Sequence, residues 1–342
     1  MKRLFLCLIS IAVYANPCCC YDELEGEPDL FQRYAQVFSG SAEFLYWTIA
    51  EGALDYALKM HHGASGPTPT FAQGGFKHAK FEADPGFRLS LIYFRAPHYW
   101  DTRWVYTRMT NHGKDHADKP GSADEFLTGT FPHITTNPLN GAHSRIHFNY
   151  NVFDWITHRV FFPNPHLRLR FGGGASFAWM SQNWKVLYTD AEANVTTVRN
   201  RWSFTGAGLK TGTTVDWYWT GDLYLTALGY LGLLMGSYSN RAIEHSTFQT
   251  TGGDNPAIPV RNAHYEDARA SFTFQLLFGP SYQKNFCSNR LEIFAGFEMN
   301  SWFNLQEVYR STQAAASLAK ETWMNTGLVT FYGLTTRATF DF

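Results

Sequence analysis

Apolar and polar side chains alternate with a period of two through most of the chain. The last stretch, Gly327 to Phe342, shows it well. Phe342, Phe340, Ala338, Thr336, Leu334, Tyr332 and Leu328 share one parity, and Asp341, Thr339, Arg337, Thr335 and Gly333 the other. A strand sends successive side chains to opposite faces, so this segment has an apolar face and a polar face. The alternation is cleanest at Arg145, His147, Asn149 and Asn151 against Ile146, Phe148, Tyr150 and Val152. Similar runs predict strands over 41–59 (with a bulge at Glu51-Gly52), 76–95, 101–110, 167–188, 199–213, 221–238, 264–279 and 290–300. With the 145 and 327 segments these make about ten strands, within a range of about 8–14. The intervening segments alternate in length. Loops 61–75, 111–142, 239–262 and 305–325 are long, whereas the turns at 96–100, 162–166, 217–219 and around Cys287 are short.

This rhythm predicts an all-β fold, a transmembrane antiparallel β-barrel with short periplasmic turns and long extracellular loops. A meander without βα alternation excludes α/β folds. A soluble β-sandwich, the other all-β reading, has shorter strands of about 5–6 residues. Composition agrees with the barrel. Aromatic residues make up 17% of the chain, suiting girdles at two lipid interfaces, and the mean hydropathy of -0.27 argues against membrane helices. The longest apolar run, Leu223–Met235, falls short of the roughly 20 residues a spanning helix needs. Lys2, Arg3, the apolar stretch Leu4–Ala12 and Val13-Tyr14-Ala15 read as a signal peptide over 1–15. A periplasmic lead-in over 16–40 and a barrel over 41–342 follow. The 28 Lys and Arg against 29 Asp and Glu give no electrostatic case for nucleic acid.

In a membrane barrel the polar parity faces the lumen. That rule marks Arg88, Arg103, Arg145, His147, Arg168, Arg170, Arg201, Arg269, Arg290, Glu292, Glu298 and Arg337 as pore-lining candidates. Rings of such charges set ion preference in open pores, and the arginine excess favours anions. The competing reading is that they pair and fill the interior, since barrels of about eight strands are filled and open channels are typical of about 16–18. His112 and His116 have an i, i+4 spacing without a third ligand set by pattern, so solvated histidines are expected rather than a metal site. The pairs Asp115 with His116, or Ser144 with His143, could be forced into the roles of a rim enzyme. No Gly-x-Ser-x-Gly elbow accompanies them, and the chain is expected not to be an enzyme. Gly172-Gly173-Gly174 lacks the Lys and Ser/Thr of a phosphate loop and reads as relief of crowding. No cofactor is implied. Cys18, Cys19, Cys20 and Cys287 are disulfide candidates between chains, or passive; neighbouring cysteines do not readily bridge one another.

Ala42-Glu43-Phe44-Leu45-Tyr46-Trp47, Gly52-Ala53-Leu54-Asp55-Tyr56-Ala57 and Asp84-Pro85-Gly86-Phe87-Arg88 resemble the Legionella-type pore-forming outer-membrane proteins, relatives of the chlamydial major outer-membrane proteins. The resemblance spans about residues 40–110. It implies integral residence in the bacterial outer membrane and a porin that passes small hydrophilic solutes and ions. It also implies partners in outer-membrane lipid, in the barrel-assembly machinery that reads a terminal aromatic such as Phe342, and in neighbouring envelope proteins through disulfides. No cysteine spacing here matches a family motif, and the chlamydial porins are drawn with more strands. The alternative is a lumen-filled structural or adhesive surface barrel that acts through its extracellular loops.

Overall fold

The computed structural model describes residues 36–60, 74–95, 99–121, 125–131, 139–247, 258–286, 289–311 and 322–341. The expected signal peptide, most of the lead-in, the four disulfide-candidate cysteines and Phe342 lie outside them. Thirteen strands form: β1 (Gln36–Glu51), β2 (Asp55–Met60), β3 (Gly74–His78), β4 (Asp84–Arg95), β5 (Trp100–Asp118), β6 (Phe126–Gly129), β7 (Leu139–Asn164), β8 (Leu167–Asp190), β9 (Val195–Tyr218), β10 (Leu223–Ser246), β11 (Ile258–Phe286), β12 (Asn289–Ser311) and β13 (Thr322–Asp341). Ten of them close an antiparallel ring in the order β7-β5-β4-β1-β13-β12-β11-β10-β9-β8, with β8 returning to β7. The closing seam sets Ser39 against Asp341 and Trp47 against Gly333. At that second pair a Cβ on residue 333 would strike the Tyr46 carbonyl, and the residue has φ +157°, so only glycine lets the first and last strands meet there.

The predicted strand over 41–59 divides. The wall strand ends at Glu51, Ala53 turns with φ 52°, and β2 leaves the wall. The predicted strand over 76–95 divides likewise into β3 and β4. With β6, strands β2 and β3 make a small sheet, β3-β2-β6, tied to the wall at Leu127 and Leu139. The segments 111–142, 239–262 and 305–325 are shorter as loops than expected, because β5, β7, β10, β11 and β12 run on into them.

The outer wall and the interior change character with height. In the belt nearer the short turns, outward side chains are apolar: Phe161, Trp155 and Phe153 on β7, Phe171 and Phe177 on β8, Leu209 and Trp217 on β9, Leu231, Leu233 and Met235 on β10. Aromatic pairs rim this belt, with Phe38 and Tyr93 4.9 Å apart near the short turns and Tyr106 stacked on Trp179 at 6.0 Å towards the other end. Above the belt the same parity stays inward but the polarity of the two faces inverts. On β7 the inward residues become Tyr150, Phe148 and Ile146, and the outward ones Asn149, His147 and Arg145. On β9 Trp202 and Phe204 point inward and Arg201 outward. Solvents on the two sides of the wall explain the switch: lipid outside demands apolar groups, whereas water outside and a packed interior demand the reverse.

Candidate functional site

The interior is the first place to seek a function, and it is occupied in three tiers. Nearest the short turns lies a tier of charge. Its cations are Arg88, Arg103, Arg168, Arg170, Lys210, Arg290 and Arg337, and its carboxylates are Glu43, Asp101, Asp154, Asp216, Glu292, Glu298 and Asp341. Each of those cations reaches a carboxylate. Arg88 bridges Glu43 at 2.6 Å and Glu298 at 2.8 Å, and Arg337 reaches Glu292 at 2.9 Å. Asp216 holds both Arg168 and Arg170, and Asp154 takes Lys210 at 2.7 Å. Asp101 takes Arg103 at 2.7 Å and His158 Nδ1 at 2.6 Å, and the other ring nitrogen of His158 meets the Tyr230 hydroxyl. The arginine excess read as an anion preference is therefore matched, charge for charge, within the tier. Glycines make the room. A Cβ at Gly172 or Gly174 would strike the Thr157 or Trp155 carbonyl beside His158. Among the described residues a chamber of about 110 Å³ remains between these groups.

Above it an aromatic tier crosses the barrel, built from Trp47, Phe148, Tyr150, Trp202, Tyr238, Trp302 and Phe331, all with at most 5% of their surface exposed. Phe331 packs on Tyr150 at 4.5 Å and on Phe148 at 5.3 Å, edge-on, and Phe148 meets Trp202 at 5.4 Å. Such pairs add about 0.5–1.5 kcal/mol each to the burial itself. Hydrogen bonds lock this tier to the charged one: Trp47 Nε1 donates to Thr335 Oγ1 (3.0 Å), whose hydroxyl donates to Glu298 (2.8 Å). The Arg88 guanidinium lies 5.4 Å from the Trp47 ring centre, and Arg269 covers Tyr238 at 3.6 Å while pairing with Glu307 at 2.6 Å.

The third tier closes the far mouth. Leu54, Tyr56 and Ala57 of the β2 segment, with Leu127 and Phe131, sit against the inward Ile146, Trp184, Val186 and Tyr188. The Tyr188 hydroxyl donates to the Tyr56 carbonyl, and Phe131 meets Trp184 edge-on at 5.3 Å. Near this mouth burial pushes the Glu51 carboxyl up, with Gln182 donating to it at 2.6 Å. Burial also pushes the Glu244 carboxyl up to about 7, with the Arg261 guanidinium 3.9 Å away opposing. On the outer wall, burial and the neighbouring His112 hold the His147 imidazole below its ordinary value.

Of the pore-lining candidates, Arg88, Arg103, Arg168, Arg170, Arg269, Arg290, Glu292, Glu298 and Arg337 point inward. Arg145, His147 and Arg201 do not: they lie outside, above the apolar belt, where the outward parity has become the polar one. The sequence reading missed the aromatic tier, because inward aromatics above the belt were read as lipid-facing. His112 and His147 pair across β5 and β7 with rings 4.6 Å apart, and His116 and His143 at 6.3 Å, all on the outer face of the wall. Among the described residues no group of three or more His, Cys, Asp or Glu is placed to hold a metal ion.

Solved structures similar to this chain are outer-membrane barrels. The outer membrane protease OmpT of Escherichia coli is 11% identical, covering 90% of this chain and 96% of its own, with a TM-score of 0.42. The Pseudomonas putida toluene transporter TodX is 8% identical over 89% of each chain (TM-score 0.29), and a Pseudomonas aeruginosa FadL homologue 9% identical over 90% of each (TM-score 0.24). Likeness at this level carries no activity across. The expectation that the chain is not an enzyme nevertheless does not stand, since a protease is among the barrels it resembles. No curated protein matches the sequence. The family model described as Legionella pneumophila major outer membrane protein precursor matches residues 34–341, the whole of the barrel wall. With its closed ten-strand ring and apolar belt, the chain is an integral protein of the bacterial outer membrane and belongs to the Legionella major outer membrane protein family.

Proposed function

We propose that this protein works as a lumen-filled surface barrel, serving the outer membrane through its structure and its outer end rather than through an open channel. The observation that carries this reading is the aromatic tier from Trp47 to Phe331, which crosses the whole bore between the charged chamber and the capped mouth. A ring of ten strands has a bore near that which side chains can fill, and here both ionic and aromatic side chains fill it. The paired charges below it are permanent internal partners, so they leave no fixed excess of one sign to select ions.

A second reading, passive diffusion of small hydrophilic solutes and ions, draws on the chamber of about 110 Å³ lined by Arg88, Arg103, Arg337 and their carboxylates. It requires the aromatic tier to part. Single-channel recording of refolded residues 16–342 in a planar bilayer separates the two. The filled-lumen reading expects no regular steps from the native chain and steps of reproducible size from the double variant Trp47→Ala/Phe331→Ala. Regular steps from the native chain would establish the diffusion pore instead, and reversal potentials in a salt gradient would then measure its selectivity.

A further inference from the structure

Above the lipid belt, the outer face of four adjacent strands carries cations in register. Lys114 of β5 stands opposite Arg145 of β7, Arg145 opposite Lys185 of β8, and Lys185 opposite Arg199 of β9. One row nearer the membrane, His147, Asn183, Arg201 and Arg241 are aligned across β7 to β10. Directly below runs a row of small polar groups, Asn149, Ser181, Ser203 and Ser239, in the same register, and below that the apolar belt begins. Over outward positions 143–149, 181–189, 195–203 and 237–245 every ionisable side chain is Lys, Arg or His. None of Lys114, Arg145, Lys185, Arg199, Arg201 and Arg241 makes an ion pair among the described residues, in contrast to the fully paired interior. The acidic neighbours stand at the margins: Asp84 beside His112, Asp118 at the outer end of β5, and Glu266 opposite Ser239 on β11. Among the described residues the other side of the ring shows no such rows, and its outward groups there include Ala50, Phe303 and Leu328.

Like charges directly opposite one another across strands are destabilising. A folded wall that lines up four of them without an internal counter-charge is suited to an external one. We propose that this face of β5 and β7–β10 binds the phosphates of anionic lipid headgroups in the outer leaflet. The hydroxyl and amide row meets the neutral part of the headgroup, and the apolar belt takes the chains. Continuity fixes the occupant as lipid: the cation rows begin where the lipid-facing surface of the same strands ends. A shallow groove on that surface, lined by Gly173, Leu209, Leu231, Leu233 and Phe272, offers a bed for an acyl chain. Arg presents a planar fork that matches phosphate oxygens in pairs, which suits the four arginines of this patch, Arg145, Arg199, Arg201 and Arg241.

The test is native mass spectrometry of the refolded chain in a neutral detergent. Diphosphorylated lipid A, its dephosphorylated form and inorganic phosphate are each titrated, and the variants carry equal charge changes. The native chain should retain diphosphorylated lipid A with at least about tenfold preference over the dephosphorylated form, a difference of about 1.4 kcal/mol. Arg145→Gln/Lys185→Gln/Arg199→Gln should abolish that preference. Arg95→Gln/Arg159→Gln/Lys284→Gln, which removes exposed cations at the opposite rim, should keep it. Equal binding of both lipids, or equal loss in the two triple variants, overturns the proposal. Competition by inorganic phosphate at the lipid's own concentration would assign the site to free anion and overturn the lipid. Heat-dependent gel migration confirms that each variant is folded, and the double variant Arg145→Gln/Lys185→Gln replaces the triple should the latter fail.

Discussion

Glu298 shows what single residues do in this interior. Its carboxylate, with no surface exposed, accepts from Arg88, Gln275 at 2.7 Å and Thr335 at 2.8 Å, and so joins β4, β11, β12 and β13. A buried ion pair gives little net stability over apolar packing, but removing one partner leaves the other charge stranded. Glu298→Ala should therefore cost about 3–5 kcal/mol in urea unfolding of the refolded barrel. Glu298→Gln, which keeps the shape and an acceptor, should cost less. Trp47→Ala opens a cavity in the aromatic tier and should cost about 3–5 kcal/mol in the same measurement. At this scale the charges the sequence pattern assigned to the interior of the lipid belt point inward, because lipid outside forces polar groups away from it. It misplaced Arg145, His147 and Arg201 because the same rule was carried past the end of the lipid, where alternation continues but its meaning reverses.

Strands here are longer than the membrane requires. A tilted spanning strand needs about 9–11 residues, whereas β7 has 26 and β11 has 29. The excess lies in the extended ends that the sequence pattern read as loops, since Gly, Asp and His at 111–118 look like loop composition and yet pair throughout with β7. Buried groups in these ends make the outer mouth sensitive to pH. The Glu244 carboxyl has a folded pKa of about 7 against 4.5 for the free group. Between those values the unfolded segment binds fewer protons than the folded one, so local stability falls as pH rises from 4.5 to 7, by up to about 3 kcal/mol. Hydrogen exchange at the outer ends of β9–β11, corrected for intrinsic rates, should show stronger protection at pH 5 than at pH 7.5. Glu244→Gln should flatten that difference. The small sheet of β2, β3 and β6 belongs to the cap and not to the wall. Replacing residues 53–82 by a short turn should leave the heat-dependent gel shift intact, because β1 pairs with β4 from Gln36 to Trp47 without it.

The wall strands close into a ring in which each pairs with a neighbour on both sides, as a structure in lipid must, since an open edge would leave amides without partners in hydrocarbon. Closure also fixes the bore. Ten strands bring Trp47, Tyr150, Trp202, Trp302 and Phe331, from strands far apart in the chain, into one layer. Conductance therefore belongs to the molecule and not to any residue: the filled lumen predicts a silent native barrel and a conducting Trp47→Ala/Phe331→Ala variant. Among the described residues the outer wall is asymmetric as well, with cations that make no ion pair set in register on β5 and β7–β10.

The sequence by itself determined the architecture, since a period of two, an aromatic excess and the alternation of short and long connections are properties of neighbouring residues. The number of wall strands and their antiparallel order followed, because hairpins pair neighbours in the chain. Only the tertiary structure decided whether the bore is filled, where the polarity of the two faces inverts and which cations remain unpaired. Those depend on which side chains from distant strands meet across the lumen, and on what solvent each face of the wall touches at each height, and no local pattern encodes either.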